Sequence, residues 1–173
     1  MKLIKFLNQE GTNLLSDSTN QTILTLLVSS EYSVSELSAK LKLPTLKTWR
    51  RMQKLANANL VELSRVEKVG NIEKKFYRAT STWFSPQQFF NFKPKDANLI
   101  AAFEIYSNFQ KNLIAKILEL DEVPKGADPI DFSLFANMQA FAQVWGDSAA
   151  PEKMLELKHR LSKYKESKNF LEK

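Results

Sequence analysis

The chain has 173 residues, the length of one medium domain or of one small domain with an appendage, and its 43% hydrophobic and 25% charged residues are typical of globular proteins. It has no cysteine, 1 histidine and 4 glycines. This composition excludes thiolate metal sites and cysteine catalysis, and it argues against histidine-based sites and glycine-rich phosphate loops. We therefore expect a protein that is not an enzyme, with no catalytic residues, no metal site and no cofactor.

No run approaches the roughly 18 apolar residues that a membrane span requires. No signal peptide is evident either, because no sufficiently long apolar run follows the first lysines. We therefore expect a cytoplasmic protein without a membrane partner.

The net charge of +6 is concentrated in one segment. Residues 40–80 contain 11 basic and 3 acidic residues, a net charge of +8, so the rest of the chain has a slight negative excess. A basic block on a neutral-to-acidic body is typical of proteins that bind a polyanion. Composition alone leaves open the alternative that this block is an ordinary solvated surface.

The first third of the sequence predicts short helices. Residues 1–17 are interpreted as a leading helix or arm. The polar residues 16–19 can cap a following helix of about three turns that buries Ile23, Leu24 and Leu27.

A second helix is predicted at Ser33 and Glu36, which have the spacing of a capping box. Pro44 ends this helix and suits the first turn of the next one, predicted over residues 45–57. In that helix Thr48, Met52 and Leu55 share the spacing of a buried face. Its basic residues recur at i, i+3, i+4 and i+7 and share another face. They are Lys47, Arg50, Arg51 and Lys54.

A hairpin is predicted after this helix, where the apolar residues begin to alternate as in a half-buried strand. Asn57 or Asn59 can take the left-handed conformation that ends the helix. Gly70 and Asn71 signal the turn, and residues 61–80 form the two strands with a basic tip.

The order of these elements is that of a winged helix-turn-helix, and the sequence resembles the ArsR-type family of transcription regulators over about residues 14–80. Residues 15–24 resemble the opening stretch of that family, which usually reads L-S-D-P-T-R-x-x-I-L. The stretch beginning Ser33-Val34-Ser35-Glu36 lies where the family begins its second helix. Residues 41–61 keep the family's spacing, and residues 76–80 resemble the closing strand of its wing.

The resemblance implies a sequence-specific regulator of transcription that binds double-stranded DNA, usually as a dimeric repressor. Helix 45–57 would read the major groove, and the wing, residues 61–80, would follow the backbone. Ser33 and Ser35 resemble in position two cysteines of the family's metal-sensing members, so soft-metal sensing at this site is not expected.

The candidate DNA contacts lie in this helix, in the turn before it and in the wing. Arg50 and Arg51 are candidates for base edges or phosphates, because arginine bonds guanine bidentately. Trp49 either contacts DNA or packs against the wing or a neighbouring helix. The remaining candidates contact phosphate and position the protein without specifying sequence. They are Lys42, Thr45, Lys47, Lys54, Lys68, Lys74 and Lys75.

The sequence beyond residue 80 predicts a helical region, so the expected fold is mostly α with a small β-hairpin. We expect a winged helix-turn-helix domain over residues 1–80 and a helical C-terminal region over 81–173. The aromatic residues of 83–92 either connect the two parts or form a pocket for an unknown apolar effector. Amphipathic helices are predicted over residues 96–120, over 131–145 and after Pro151.

These C-terminal helices predict a homodimer, because a two-fold dimer sets two reading helices about one DNA turn apart. The alternative is a monomer in which they cover their own core. For the whole protein, the alternative function is a winged-helix scaffold that binds proteins and does not bind DNA specifically.

Overall fold

The computed structural model describes residues 1–70, 72–86 and 92–167, apart from the side chains of Val69 and Ile72. The chain divides into one unit formed by Met1–Gln87 with Asp121–Ser133 and another formed by Gln88–Leu120 with Leu134–Lys173. The first unit is a winged helix-turn-helix and the second is helical, so the fold is mostly α with a small sheet, as predicted.

The first unit contains the following elements. They are β1 (Lys2–Leu7), α1 (Gln9–Leu15), α2 (Ser18–Ser29), β2 (Tyr32–Ser33), α3 (Val34–Leu41), α4 (Thr45–Asn57), β3 (Val61–Val69), β4 (Ile72–Ala79) and β5 (Ser81–Pro86).

The N-terminus differs from its prediction, because Lys2–Leu7 form a strand and only Gln9–Leu15 are helical. Strand β1 pairs in parallel with β5, which includes the first of the aromatic residues of 83–92. The two strands lie almost 80 residues apart in sequence, so no local turn signal marks the pairing. The first unit therefore extends past the predicted boundary at residue 80.

The helices α2 and α3 begin where their caps predict. Asp17 accepts hydrogen bonds from the backbone N–H groups of Thr19 and Asn20 at the start of α2. Ser33 and Glu36 form a complete capping box at the start of α3. Both caps satisfy backbone donors that would otherwise lack a partner in the first turn.

Helix α4 has its predicted bounds and its predicted buried face. Thr48, Met52 and Leu55 are buried, and Met52 and Leu55 pack into the core of the first unit with apolar residues of α2 and α3. Asn59 adopts a left-handed conformation with φ of 56° after the helix. This chain reversal directs the next residues into β3.

The wing is an antiparallel sheet with strand order β2-β4-β3. Gly70 has a φ of 63° at the turn, as predicted for this position. Asn71 lies outside the described residues. The register shifts between Leu63 and Arg65, so Ser64 has no cross-strand partner.

The second unit is built from helices α5 (Ala97–Leu118), α6 (Pro129–Trp145) and α7 (Ala150–Ser167), near their predicted positions. Helix α6 has its first residues in the first unit and the remainder in the second. Small residues, among them Ala102, Ala140 and Ala150, are buried. Phe89 and Phe90, two of the aromatic residues of 83–92, lie outside the described residues.

Candidate nucleic-acid interface

The turn between α3 and α4 is held by a hydroxyl group. Ser38 Oγ donates to the carbonyl oxygen of Leu43 at 2.6 Å and lies 3.2 Å from Thr45 Oγ1. Lys42 closes α3 in a left-handed conformation with φ of 53°, and its side chain is exposed. These contacts fix the angle at which α4 leaves the turn.

The start of α4 is open, because Pro44 is its N-cap and no side chain among the described residues caps it. The N–H groups of a first helical turn have no partner within the helix, and they favour an anion such as phosphate. Thr45 is exposed at this end. Lys42 and Thr45, which are predicted to contact phosphate, thus lie beside this open N-terminal end of α4.

Three of the four cationic residues of α4, Lys47, Arg50 and Lys54, point away from the buried face and are exposed. Within the described residues these three side chains make no ion pair or hydrogen bond. Their charges face solvent.

Arg51, the fourth, lies between α4 and the start of α2. Its Nη1 donates to Asn20 Oδ1 at 2.8 Å and lies 2.9 Å from Asp17 Oδ2. The Arg51 side chain is 22% exposed, and Asn20 is buried and also donates to the carbonyl oxygen of Leu14 at 2.9 Å. The hydrogen bond from Arg51 lowers the pKa of Asp17. Arg51 therefore connects two helices of the fold.

Lys74 also has an internal partner. Its Nζ lies 2.8 Å from Glu36 Oε1, so the wing is linked to the capping box of α3. The hydrogen bond from Lys74, followed by those from Ser33, lowers the pKa of Glu36 to about 2. The Lys74 ammonium also lies 4.9 Å from the centre of the Phe76 ring.

Two arginines of the wing are paired in the same way. Arg65 donates to Glu31 at 2.7 Å, pairs with Glu67 and lies over the ring of Phe76. Arg78 pairs with Glu62 at 2.7 Å. Ser64, the unpaired residue of the strand irregularity, donates to Glu31, and this bond is the first cause of the lowered pKa of Glu31. Much of the positive charge on the wing is thus balanced within the unit.

Lys68 and Lys75 remain exposed on the wing. Lys68 lies opposite Glu73, and Lys75 lies opposite Val66. Both lysines are on the same face of the hairpin, because directly opposed residues share a face and so do residues two apart in one strand. Lys75 also lines a hollow of about 540 Å³. The other lining residues are Ser33, Val34, Ser35, Trp49, Glu73, Lys74 and Tyr77.

Trp49 projects from α4 at the edge of this hollow and remains 47% exposed. The indole therefore borders the wing and is also open to solvent. Both positions considered for Trp49 in the sequence interpretation are compatible with this placement.

The partners of Arg51, Arg65 and Lys74 were missed by the sequence interpretation. Asp17 and Glu36 could be recognised in the sequence as capping residues. A cap, however, predicts the start of a helix and not an ion pair with a distant residue. Their contacts with the basic segment depend on the tertiary fold.

Ser33 and Ser35, which resemble in position two cysteines of metal-sensing ArsR-type proteins, hydrogen-bond to each other. Ser33 Oγ lies 3.1 Å from Ser35 Oγ and donates to Glu36 at 3.0 Å. Across the described residues, no group of three or more histidine, cysteine or acidic residues has the arrangement of a metal site. The described helices also include none with the length and hydropathy needed to cross a membrane.

The second unit exposes an apolar stripe on α6. Leu134, Met138, Phe141 and Trp145 recur at i, i+4, i+7 and i+11, so they follow one face of the helix. The ring of Trp145 stacks on Phe109 of α5 at 5.6 Å between centroids.

An apolar hollow of about 410 Å³ lies elsewhere in the second unit. Phe92 and Phe103 meet edge-on in its wall at 5.8 Å between ring centroids. Of the aromatic residues of 83–92 that were considered for an apolar effector, Phe92 lines this hollow, and the effector remains a prediction.

No protein-family model matches the chain, and no curated protein matches it. Among solved structures, HlyU from Vibrio cholerae is 27% identical over 41% of this chain and 72% of that chain, at a TM-score of 0.34. Bacillus subtilis PadR in complex with operator DNA is 16% identical over 79% of this chain and 96% of that chain, at a TM-score of 0.33. TM-scores of this size do not establish a shared architecture, so the fold assignment rests on this chain's own elements.

Proposed function

We propose that this protein is a sequence-specific, DNA-binding regulator of transcription and not an enzyme. The observation that carries the proposal is the exposed face of α4. It presents Lys47, Arg50 and Lys54 to solvent without an ion pair or hydrogen bond from the residues that the structure describes, and it begins at an open, uncapped end. Exposed cations on a helix after a tight turn suit the major groove of duplex DNA, which is about 12 Å wide and admits a helix.

Arg50 is the proposed base-reading residue, because its exposed guanidinium can form two parallel hydrogen bonds with guanine. Lys47 and Lys54 flank it and would neutralise phosphates on the edges of the groove. Lys42 and Thr45 would hold a phosphate at the open end of α4. On the wing, Lys68 and Lys75 would contact the neighbouring backbone. We propose that Arg51 and Lys74 stabilise the fold that carries this surface, because both form ion pairs with carboxylates of the first unit.

We further propose a homodimer that forms through the apolar stripe of α6. Four large apolar side chains on one helical face are costly to leave in water, and a second copy of the same face would cover them. A two-fold dimer would present two α4 helices to successive major grooves, about 34 Å apart. Repression is the mode of regulation that the family resemblance implies.

The test is selection of genomic duplex fragments by the full chain at about 150 mM salt, followed by sequencing. Salt is fixed because phosphate contacts make affinity fall steeply with ionic strength. The proposal predicts enrichment of an inverted repeat with half-sites about ten base pairs apart. Retention without any enriched sequence would contradict sequence-specific reading. No retention even at low salt would favour the protein-binding scaffold instead.

The dimer is tested by sedimentation equilibrium at micromolar concentration. The wild-type chain should have twice the mass of one chain, and Met138→Glu should shift it toward one chain because a carboxylate is placed in the apolar stripe. Lys111→Gln, an exposed change on α5 that alters the net charge by the same amount, serves as a control for charge alone. A wild-type mass of one chain would overturn the dimer.

A further inference from the structure

Helix α4 exposes two large apolar side chains within its cationic surface. Leu46 is 59% exposed and Trp49 is 47% exposed, although both lie in the first two turns of α4. Leu46 is followed at i+3 by Trp49 and at i+4 by Arg50, so the three side chains are neighbours on the helix surface. The proposed base-reading arginine therefore lies beside an apolar patch.

The position of Leu46 places it where a reading helix contacts bases. In helix-turn-helix proteins the N-terminal residues of the recognition helix contact base edges. Leu46 is the second residue of α4, and by the helical period it lies near the centre of the arc opposite the buried Thr48. Lys47 and Lys54 lie to one side of this arc, and Trp49 lies to the other.

The charges around Leu46 identify the kind of surface that would cover it. Residues 42–57 contain five basic side chains and no acidic one. A partner for this surface must combine strong negative charge with an apolar group at its centre. The major groove of DNA has this combination, because the 5-methyl group of thymine is the apolar feature of its base edges and phosphates flank it.

We propose that Leu46 reads thymine, by packing its side chain against thymine methyl groups beside the base contacted by Arg50. This inference rests on the proposed function and gives the specificity of the same site. Trp49 forms the wall of the patch on the side of the wing, where the indole borders the hollow lined by Lys75 and Tyr77. The bound sequence should therefore contain a thymine next to the guanine in each half-site.

The experiment compares two forms of the duplex enriched by the selection, one natural and one with every thymine replaced by deoxyuridine. The replacement removes only the 5-methyl groups. Wild-type protein should bind the deoxyuridine duplex more weakly, by about fourfold for each methyl group that Leu46 buries. Leu46→Ala should bind the natural duplex more weakly and should lose almost nothing further on the deoxyuridine duplex.

Leu63→Ala is the matched control. Leu63 is an equally large side chain of the same unit, 51% exposed on β3 and outside α4. Its substitution should leave the wild-type response to deoxyuridine unchanged. Thermal unfolding of both variants shows whether either has lost its fold.

Three results would overturn the inference. The first is equal wild-type affinity for both duplexes, and the second is an enriched half-site without thymine. The third is a Leu46→Ala variant that still loses as much affinity as wild type on the deoxyuridine duplex. The proposed function survives all of these, because each of them presupposes that the selection has enriched a specific sequence. Failure to enrich any sequence overturns both.

Discussion

Helix α4 and the wing have similar amounts of positive charge but use it differently. On α4, Lys47, Arg50 and Lys54 face solvent without partners in the described residues. On the wing, Arg65, Lys74 and Arg78 are each paired with a carboxylate. A count of charges therefore overstates the positive charge that the wing offers to a ligand. The ion pairs show instead that α4 is the place where positive charge is available.

This difference shows what a basic segment in a sequence does and does not reveal. Surface ion pairs contribute little stability, typically about 0–1 kcal/mol each. They nevertheless reduce the local field that a polyanion would meet. In this protein the carboxylates come from outside the basic segment or from β3, so the pairing is visible only in the fold.

The largest effect is expected from removing the charge of α4. A triple variant, Lys47→Gln with Arg50→Gln and Lys54→Gln, should lower affinity for the enriched duplex by at least about a hundredfold, because one base contact and two phosphate contacts are lost. Fluorescence anisotropy at about 150 mM salt measures this loss. The control is the wing variant Arg65→Gln with Lys74→Gln and Arg78→Gln, which has the same change of net charge and should lose less than about tenfold. Equal losses would mean that net charge, and not α4, governs binding.

The next effect is on stability and concerns Arg51. Arg51→Ala removes a donor from the buried Asn20 and an ion pair from Asp17. We expect a loss of about 1–2 kcal/mol in the free energy of unfolding, because a buried acceptor loses its partner. Urea denaturation measures the loss. Arg50→Ala, an exposed neighbour, should change this free energy by less than about 0.5 kcal/mol, and a larger effect of Arg50→Ala would argue that its side chain is also structural.

A pH dependence should separate Lys74 from Lys75. The pKa of Glu36 is lowered from 4.5 to about 2 chiefly by Lys74. The stability that this contact contributes is therefore present above about pH 4.5 and is lost as the pH falls toward 2. Urea denaturation between pH 6 and pH 3 should show a smaller fall in stability for Lys74→Met than for wild type. Lys75→Met should fall as wild type does, and identical curves for wild type and Lys74→Met would contradict the assignment.

The smallest effect is expected for one exposed lysine of the wing. Lys75→Gln should weaken binding only a few-fold and should reduce the slope of log K against log salt by about 1, as expected for one lost phosphate contact. The slope is obtained from titrations between about 50 and 200 mM salt. Lys111→Gln on α5 makes the same change of net charge outside the first unit and should leave the slope unaltered. An unaltered slope for Lys75→Gln would remove this lysine from the interface.

The local features of the fold could be predicted from sequence, and the distant pairings could not. The bounds and buried face of α4 follow from Pro44 and from the spacing of Thr48, Met52 and Leu55, which are properties of neighbouring residues. The capping box of α3 is local for the same reason. Strand β1 was missed because its partner β5 lies almost 80 residues away, and a short apolar stretch fits either a helix or a strand.

The same limit applies to the candidate site. The sequence placed four cations on one face of α4, since helical spacing determines this. It could not show that Arg51 turns toward Asp17 and Asn20, because the partners lie 34 and 31 residues away. For Lys74 the sequence predicts a phosphate contact, and it could not show the ion pair with Glu36, because that pair requires the wing and α3 to be in place.

The central claim is that the exposed cations of α4 bind duplex DNA, and the neighbours Arg50 and Arg51 test it most directly. Arg50→Ala and Arg51→Ala make the same chemical change one residue apart, and each is titrated against the enriched duplex at about 150 mM salt. Arg50→Ala should lose about five- to 150-fold in affinity with its stability intact. Arg51→Ala should lose stability and retain most of its affinity. Wild-type affinity in Arg50→Ala would contradict the assignment of α4 as the reading helix.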